Sequence, residues 1–316
     1  MVTFGYSLSS EELGGRDLVR FAAMAEEAGF THAWISDHYH PWVSAQGQSP
    51  FVWCVLGGIA QATQLRIGTG VTCPTIRIHP AIIAQAAATA AEMLEGRFFL
   101  GVGTGENLNE HVLGDPWPHP ELRLEMLEEA VEIIRALWTG ENITRRGRHY
   151  QLEDARLYTL PPTPPPIMIS AFGPKAVALA ARIGDGYVGV APDAELVEAF
   201  RRQAGEDKPR LGGLKVCWGP NEDEAAKLAY RLWPNMGLPG QLAQELRTVA
   251  QFEQAVGLVT MEHVPGPIPV GPDPQRHIDY LRTYIDAGYD EIYIHQIGPD
   301  QQGFLRFYTE EVLPLV

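Results

Sequence analysis

Positive charge is scarce in this chain. Its 316 residues carry 24 Lys and Arg against 39 Asp and Glu, for a net charge of −15. That balance excludes the basic footprint that nucleic-acid phosphates require, and it disfavours docking on anionic lipid. Cysteine is nearly absent. Cys54, Cys73 and Cys217 are scattered and odd in number, so neither a disulfide framework nor a CxxC metal site is on offer. No apolar run approaches the ~20 residues that span a bilayer. The opening residues alternate like a strand and have no basic start followed by an apolar signal core, so a cytoplasmic location is expected. Low-complexity tracts are missing apart from a proline cluster between 161 and 166, and no repeat is visible beyond the alternation of strands and helices.

With 45% hydrophobic and 20% charged residues, the chain has ample material for a core. Strand-like runs at 2–8, 32–35, 65–72, 97–102, 167–171, 186–190, 211–218 and 290–297 alternate with helix-like stretches. Those helices are predicted at 16–28, 51–63, 81–94, 121–137 and 175–183, with a closing one at 304–312. Eight β-then-α units whose strands are apolar on both faces predict an α/β fold, a (β/α)8 TIM barrel forming a single domain over 1–316. Two stretches break the rhythm as insertions. Residues 139–166 predict a small hairpin and a stiff proline-rich connection; residues 234–274, rich in Gly and Pro around a helical patch at 241–252, predict the largest insertion, before the last helix.

In such a barrel the residues after each strand converge on one mouth, where ligands bind. Here they are Ser9, Ser10 and Glu11; Asp37, His38 and Trp42; Gly70, Val71, Thr72 and Cys73; Thr104, Gly105, Glu106 and Asn109; Phe172, Gly173 and Lys175; Lys215 and Trp218; His295 and Gln296. Acids, imidazoles and indoles with few cations suit proton and hydride chemistry on an uncharged organic group. Asp37 beside His38 favours a catalytic over a structural histidine, whereas His40, two residues on, is expected to face away. The His38-x-His40 spacing also fits a barrel metal hydrolase, but the fifth and sixth strands end without histidine to complete a ligand set. Glu106 is either a first-turn helix acid or a mouth-facing one, and the strand-tip position favours the mouth. Gly103-x-Gly105 lacks the third glycine of a dinucleotide fingerprint. Gly173-Pro174-Lys175 is a helix start that suits an anion.

Ser36-Asp37-His38 with Pro41-Trp42, and Gly101-Val102-Gly103-Thr104-Gly105-Glu106 with Asn109-Glu110, resemble the luciferase-like barrel oxidoreductases. The similarity is greatest to the coenzyme F420-dependent glucose-6-phosphate dehydrogenases, and it runs over nearly the whole chain. It extends through Gly5-Tyr6, Thr75-x-Arg77, Ala84-Gln85 and Gly184-Asp185-Gly186. The resemblance implies a homodimer holding a deazaflavin in the mouth. Asp37, Thr104, Gly105 and Asn109 would be cofactor contacts, Gly70–Val71 a non-proline cis peptide under the ring, and Phe172, Gly173, Lys175 and Ala176 the phosphate-holding turn. Cys73 stands where the family usually has threonine. His38 and Glu106 would handle protons, with Trp42 and Glu11 beside them: His38 as base for the carbinol hydroxyl and Glu106 as proton partner of the cofactor, in roles that could be exchanged.

The glucose-6-phosphate members carry Thr-x-x-Lys after the sixth strand, where this chain has Val190-Ala191-Pro192-Asp193. Only Lys215 remains as a cation of the substrate end. A phosphate dianion needs charge-assisted donors, and Asp193 would repel it, so a neutral alcohol or sugar, or a phosphosugar held differently, is the expected substrate. The alternatives are an FMN-dependent monooxygenase on the same barrel, a metal-dependent barrel hydrolase, and a non-catalytic cofactor-binding barrel.

Overall fold

A computed structural model describes residues 2–261, 264 and 268–316. Among them the strands are β1 (Thr3–Leu8), β2 (His32–Ile35), β3 (Arg66–Thr69), β4 (Phe98–Val102), β5 (Ile143–Arg146), β6 (Gln151–Ala155), β7 (Ile167–Ser170), β8 (Gly186–Gly189), β9 (Arg210–Val216) and β10 (Glu291–Gln296). The helices are α1 (Gly15–Glu27), α2 (Val52–Ala62), α3 (Pro80–Met93), α4 (Asn107–Glu110), α5 (Pro120–Leu137), α6 (Pro174–Ile183), α7 (Ala194–Ala204), α8 (Glu222–Leu232), α9 (Leu242–Glu245), α10 (Val249–Val256), α11 (Pro274–Ala287) and α12 (Gln301–Phe307).

Eight strands close into a parallel barrel in the order β1-β10-β9-β8-β7-β4-β3-β2, while β5 and β6 form a separate antiparallel hairpin. Since β4 pairs directly with β7, with Gly101 opposite Met168, the hairpin hangs outside the barrel wall. The excursion 234–274 lies ahead of α11, which leads into β10, rather than before the last helix, α12. Its helical patch forms as α9 and α10. They are separate because Thr248 starts a new helix, accepting from the Gln251 N–H while the Gln251 side chain accepts from the Thr248 N–H. The expected third strand ends early, at Thr69, and the Gly70–Val71 bond just beyond it is cis.

The barrel interior is filled by a few large rings. Trp34, Phe99 and Tyr293 are buried together, with Trp34 stacked on Tyr293 at 4.3 Å between centroids. Glycine faces each of them: a Cβ at Gly213 would collide with Trp34, at Gly5 with Tyr293 and at Gly68 with Phe99. Trp34 satisfies its indole N–H on Ser7 Oγ at 2.7 Å, as a buried indole must. Truncating one of these rings to alanine would cost about 3–5 kcal/mol. Around the barrel, α3 packs through Ala84, Ala87, Ala88 and Ala91, small enough to let the helix lie close to the strands. With the interior plugged, a ligand on the barrel axis is left to the rim where the parallel strands end.

Candidate active site

One guanidinium organises the rim beside β2 and β3. Asp37 is buried; its Oδ1 accepts from an Arg77 Nη at 2.9 Å and its Oδ2 from Thr72 Oγ1. Arg77 also faces Glu110 Oε1 at 3.6 Å, and its backbone N–H donates to Glu110 Oε2 at 2.8 Å. Burial pushes Glu110 up to about 7, only partly opposed by the Arg77 N–H and charge. Burial acts to lower Arg77, but Asp37 and Glu110 outweigh it and the net shift is upward.

Above this clamp stands His38. Its Nε2 lies 3.4 Å from Glu11 Oε1 and 3.5 Å from Glu106 Oε1, and its ring is 5.0 Å from that of Trp42. Glu11, supplied by the turn after β1, accepts from Ser9 Oγ at 2.9 Å and Ser36 Oγ at 2.6 Å. Burial acts to raise Glu11, yet His38, the Ser36 hydroxyl and a backbone N–H together bring it below the usual carboxylate range, so it is ionised at neutral pH. Asn109 joins the group through its amide, donating to His38 Nδ1 at 2.9 Å and to Glu106 Oε1. Its Oδ1 accepts from the Tyr39 and His40 N–H groups at 2.8 and 2.9 Å. The His40 ring turns away to Leu108 O at 3.1 Å. Trp42 is held against the excursion, edge-on to buried Phe252 of α10 at 5.3 Å.

The loops expected to hold a cofactor surround these groups. Val71 packs on the cluster formed by Trp34 and Phe99. Cys73 is buried with Sγ 2.9 Å from Thr75 Oγ1, and Gly105, at φ +73°, crosses directly over it: any Cβ there would strike Cys73 Sγ and Glu110 Cγ. Thr104 precedes it at the tip of β4, partly buried. Across the rim, α6 begins at Pro174 with Gly173 as its cap. No side chain caps this end, nothing lies within 4 Å of where a Gly173 Cβ would stand, and Phe172 beside it is 54% exposed. The N–H groups of Lys175 and Ala176 in this first turn have no intrahelical partner, which suits an anion. The Lys175 ammonium itself turns outward to Glu121 at 2.9 Å in an exposed pair.

The wall from β8 to β10 is built differently. Val190 is exposed, and its carbonyl accepts from Tyr284 Oη at 3.1 Å; Ala191 O accepts from Tyr289 Oη at 2.8 Å. Asp193 caps α7, accepting from the Leu196 N–H at 3.0 Å. Lys215 has its Nζ 4.5 Å from the centre of the Trp233 ring, and burial lowers its pKa against the opposing charges of Glu11 and Glu12.

Glu12 is the group that sequence reasoning missed. It accepts from Trp233 Nε1 at 2.7 Å and the Gly298 N–H at 2.7 Å and meets His295 Nε2 at 2.9 Å. The tandem Glu11-Glu12 after the first strand is its signal, since neighbouring residues in a turn reach opposite walls. Trp218, expected at the mouth, packs instead near Phe307 of α12 at 5.7 Å. Among the described residues, no three His, Cys, Asp or Glu side chains gather as metal ligands, and no helix is long and apolar enough to cross a membrane. Residues 262, 263 and 265–267 of the excursion lie outside the described residues.

A plugged parallel barrel whose rim sets an imidazole between two carboxylates defines a TIM-barrel enzyme. The chain belongs to the luciferase-like monooxygenase family, whose model matches residues 2–291. It is 37% identical to the F420-dependent glucose-6-phosphate dehydrogenase of Microbacterium testaceum, covering 98% of this chain and 96% of that protein. It is also 37% identical to the F420-dependent hydroxymycolic acid dehydrogenase of Mycobacterium tuberculosis, over 98% of this chain and 87% of that one. A solved structure of an F420-dependent secondary alcohol dehydrogenase, in complex with an F420–acetone adduct, is similar with a TM-score of 0.90 at 29% identity, covering 98% of both chains.

Proposed function

We propose that this protein is a coenzyme F420-dependent dehydrogenase that oxidises the carbinol of a small alcohol or sugar. The observation that carries the reading is the grouping of His38, Glu11 and Glu106 within 3.5 Å contacts, beside a rim whose donors fit a phosphate-bearing ring cofactor. When bound, the deazaflavin supplies an acceptor for hydride. The uncapped first turn of α6 at Gly173, Lys175 and Ala176, with Phe172 beside it, would take the phosphate. Asp37, Gly70, Val71, Cys73, Thr104, Gly105 and Asn109 would line the ring's place, and Trp42 would close the mouth over the substrate.

Oxidation removes a hydride from the carbinol carbon and a proton from its hydroxyl. With the deazaflavin bound to accept the hydride, the His38–Glu11–Glu106 group would take the proton. A carbonyl compound is the product. Substrate range follows from the opposite wall. Val190 and Asp193 offer no positive charge where a phosphate dianion would need it, and among the described residues Lys215 is the cation at that end. A neutral secondary alcohol or sugar is therefore the preferred donor over a sugar phosphate.

We also propose a cytoplasmic homodimer. Exposed Phe51 and Ile82 flank an apolar trough of about 290 Å³ completed by Ile78, Ala86 and Met93, a face that a second copy would cover.

The test is a titration of the purified chain with oxidised F420 and, separately, with FMN, followed by a screen of secondary alcohols, sugars and sugar phosphates for bleaching of the deazaflavin. Tight binding of F420 with alcohol-dependent bleaching is expected. Binding of FMN alone, or F420 binding with no turnover on any carbinol, would overturn the reading.

A further inference from the structure

The side chain of Asn109 can take only one orientation. Backbone N–H groups donate and never accept, and two of them, from Tyr39 and His40, meet one side of the Asn109 amide at 2.8 and 2.9 Å. That side is therefore the oxygen, and the other is the NH2. The two amide hydrogens then have two targets, Glu106 Oε1 and His38 Nδ1, the second at 2.9 Å. Nδ1 has one competing partner, the carbonyl of His40 at 3.2 Å. A proton on Nδ1 could serve that carbonyl only by meeting an Asn109 hydrogen.

We propose that Asn109 is a positioning residue that fixes the tautomer of His38, keeping Nδ1 bare and the proton on Nε2, so that the imidazole faces the mouth as a donor. Which nitrogen of a neutral histidine carries the proton is set by the hydrogen bond its other nitrogen makes. The groups facing His38 agree with this. Nε2 looks towards Glu11 from the β1 turn and Glu106 from the β4 turn, the Trp42 ring lies tilted against the imidazole, and the charges of Lys215 and His295 act on Glu11. At 3.4 and 3.5 Å the carboxylates are beyond the usual length of an N–H···O bond. The Nε2–H is left for an incoming oxygen.

This assignment rests on the dehydrogenase reading and divides its proton chemistry. The substrate oxygen accepts from Nε2–H and gives its own proton to a carboxylate while the carbinol hydride departs; the product carbonyl stays on Nε2–H. Glu106 is that carboxylate. Glu11 is held as an anion by two hydroxyl donors, whereas Glu106 has Asn109 as its donor, and its side chain is 21% exposed at the mouth.

The test is nitrogen NMR of the full chain with 15N-labelled histidine and no cofactor, His38 being assigned by the loss of its signals in His38→Gln. The wild type is expected to show neutral His38 protonated at Nε2 and bare at Nδ1; a proton on Nδ1 would overturn the proposal. Asn109→Asp keeps both backbone acceptances but turns the donor into an acceptor. In that variant the proton should move to Nδ1. Once F420 binding is established, its kcat should fall on the order of 100-fold with a smaller change in KM. An unchanged tautomer in a folded Asn109→Asp protein would also refute the idea. Because the spectra need no cofactor, a failure of F420 to bind would refute the dehydrogenase reading while leaving the tautomer result to stand or fall by itself.

Discussion

The two sides of the mouth are built by opposite rules. From β1 to β4 the side chains hold one another: Arg77 grips Asp37 and Glu110, Asn109 grips His38 and Glu106, and serine hydroxyls grip Glu11. From β8 to β9 the side chains hold the backbone instead, tyrosine hydroxyls taking the carbonyls of Val190 and Ala191 and Asp193 taking an amide. The first side fixes charges in place, which is what a reaction needs. The second fixes a loop and leaves its surface chemistry free to vary. On the proposed function, chemistry and substrate range are separated by which part of the residue is anchored.

That division can be broken most forcefully at His38. His38→Ala should lower kcat by about 10²–10⁴-fold while leaving F420 affinity within a few-fold, measured by stopped-flow bleaching and by fluorescence titration; full turnover at saturating substrate would end the assignment. Next in size is the clamp. Arg77→Met leaves Asp37 and Glu110 buried without their cation, and denaturant melts should show a loss of about 3–5 kcal/mol.

The Glu110 carboxyl sharpens the same side with pH. Its native pKa, raised to about 7, lies above the 4.5 of a free carboxyl. The native state therefore holds this proton where the unfolded chain has already lost it, and the contribution of this carboxyl to stability falls as pH rises between those two values. Glu110→Gln should remove that fall and leave the protein up to about 3 kcal/mol more stable than wild type above pH 7, read from melts across the range. Wild type and Glu110→Gln whose stabilities run in parallel through that window would contradict the shift. The smallest effect belongs to the other side. Val190→Thr with Asp193→Lys should admit sugar phosphates, seen as a lower KM for them, at a cost of about 1 kcal/mol from the lost α7 cap.

Much of this was legible before any coordinates. The eight strands were visible because each is apolar on both faces, and the rim residues because each strand ends in a change of chemistry. His38, Glu106, Glu11 and Trp42 meet as that convergence implied. Arg77 and Glu110 were not legible as structural clamps, because their partners lie in other loops and no spacing in the chain encodes which loop faces which. The placement of Trp218 failed for a related reason. β9 ends at Val216, two residues short of the expected end, so Trp218 lies beyond the strand and its ring falls on the side of α12, where Gly303 makes room for it.

The pairing of glycines with rings in the barrel floor has a consequence for anyone reshaping this pocket. Sizes there are locked in couples, Gly213 to Trp34, Gly5 to Tyr293 and Gly68 to Phe99, so enlarging one member alone is self-defeating. Deepening the mouth for a bulkier donor would have to begin at a ring and be repaid at its partner glycine, two exchanges made together. The accessible route to new substrates runs sideways along the tyrosine-pinned loop, not downward.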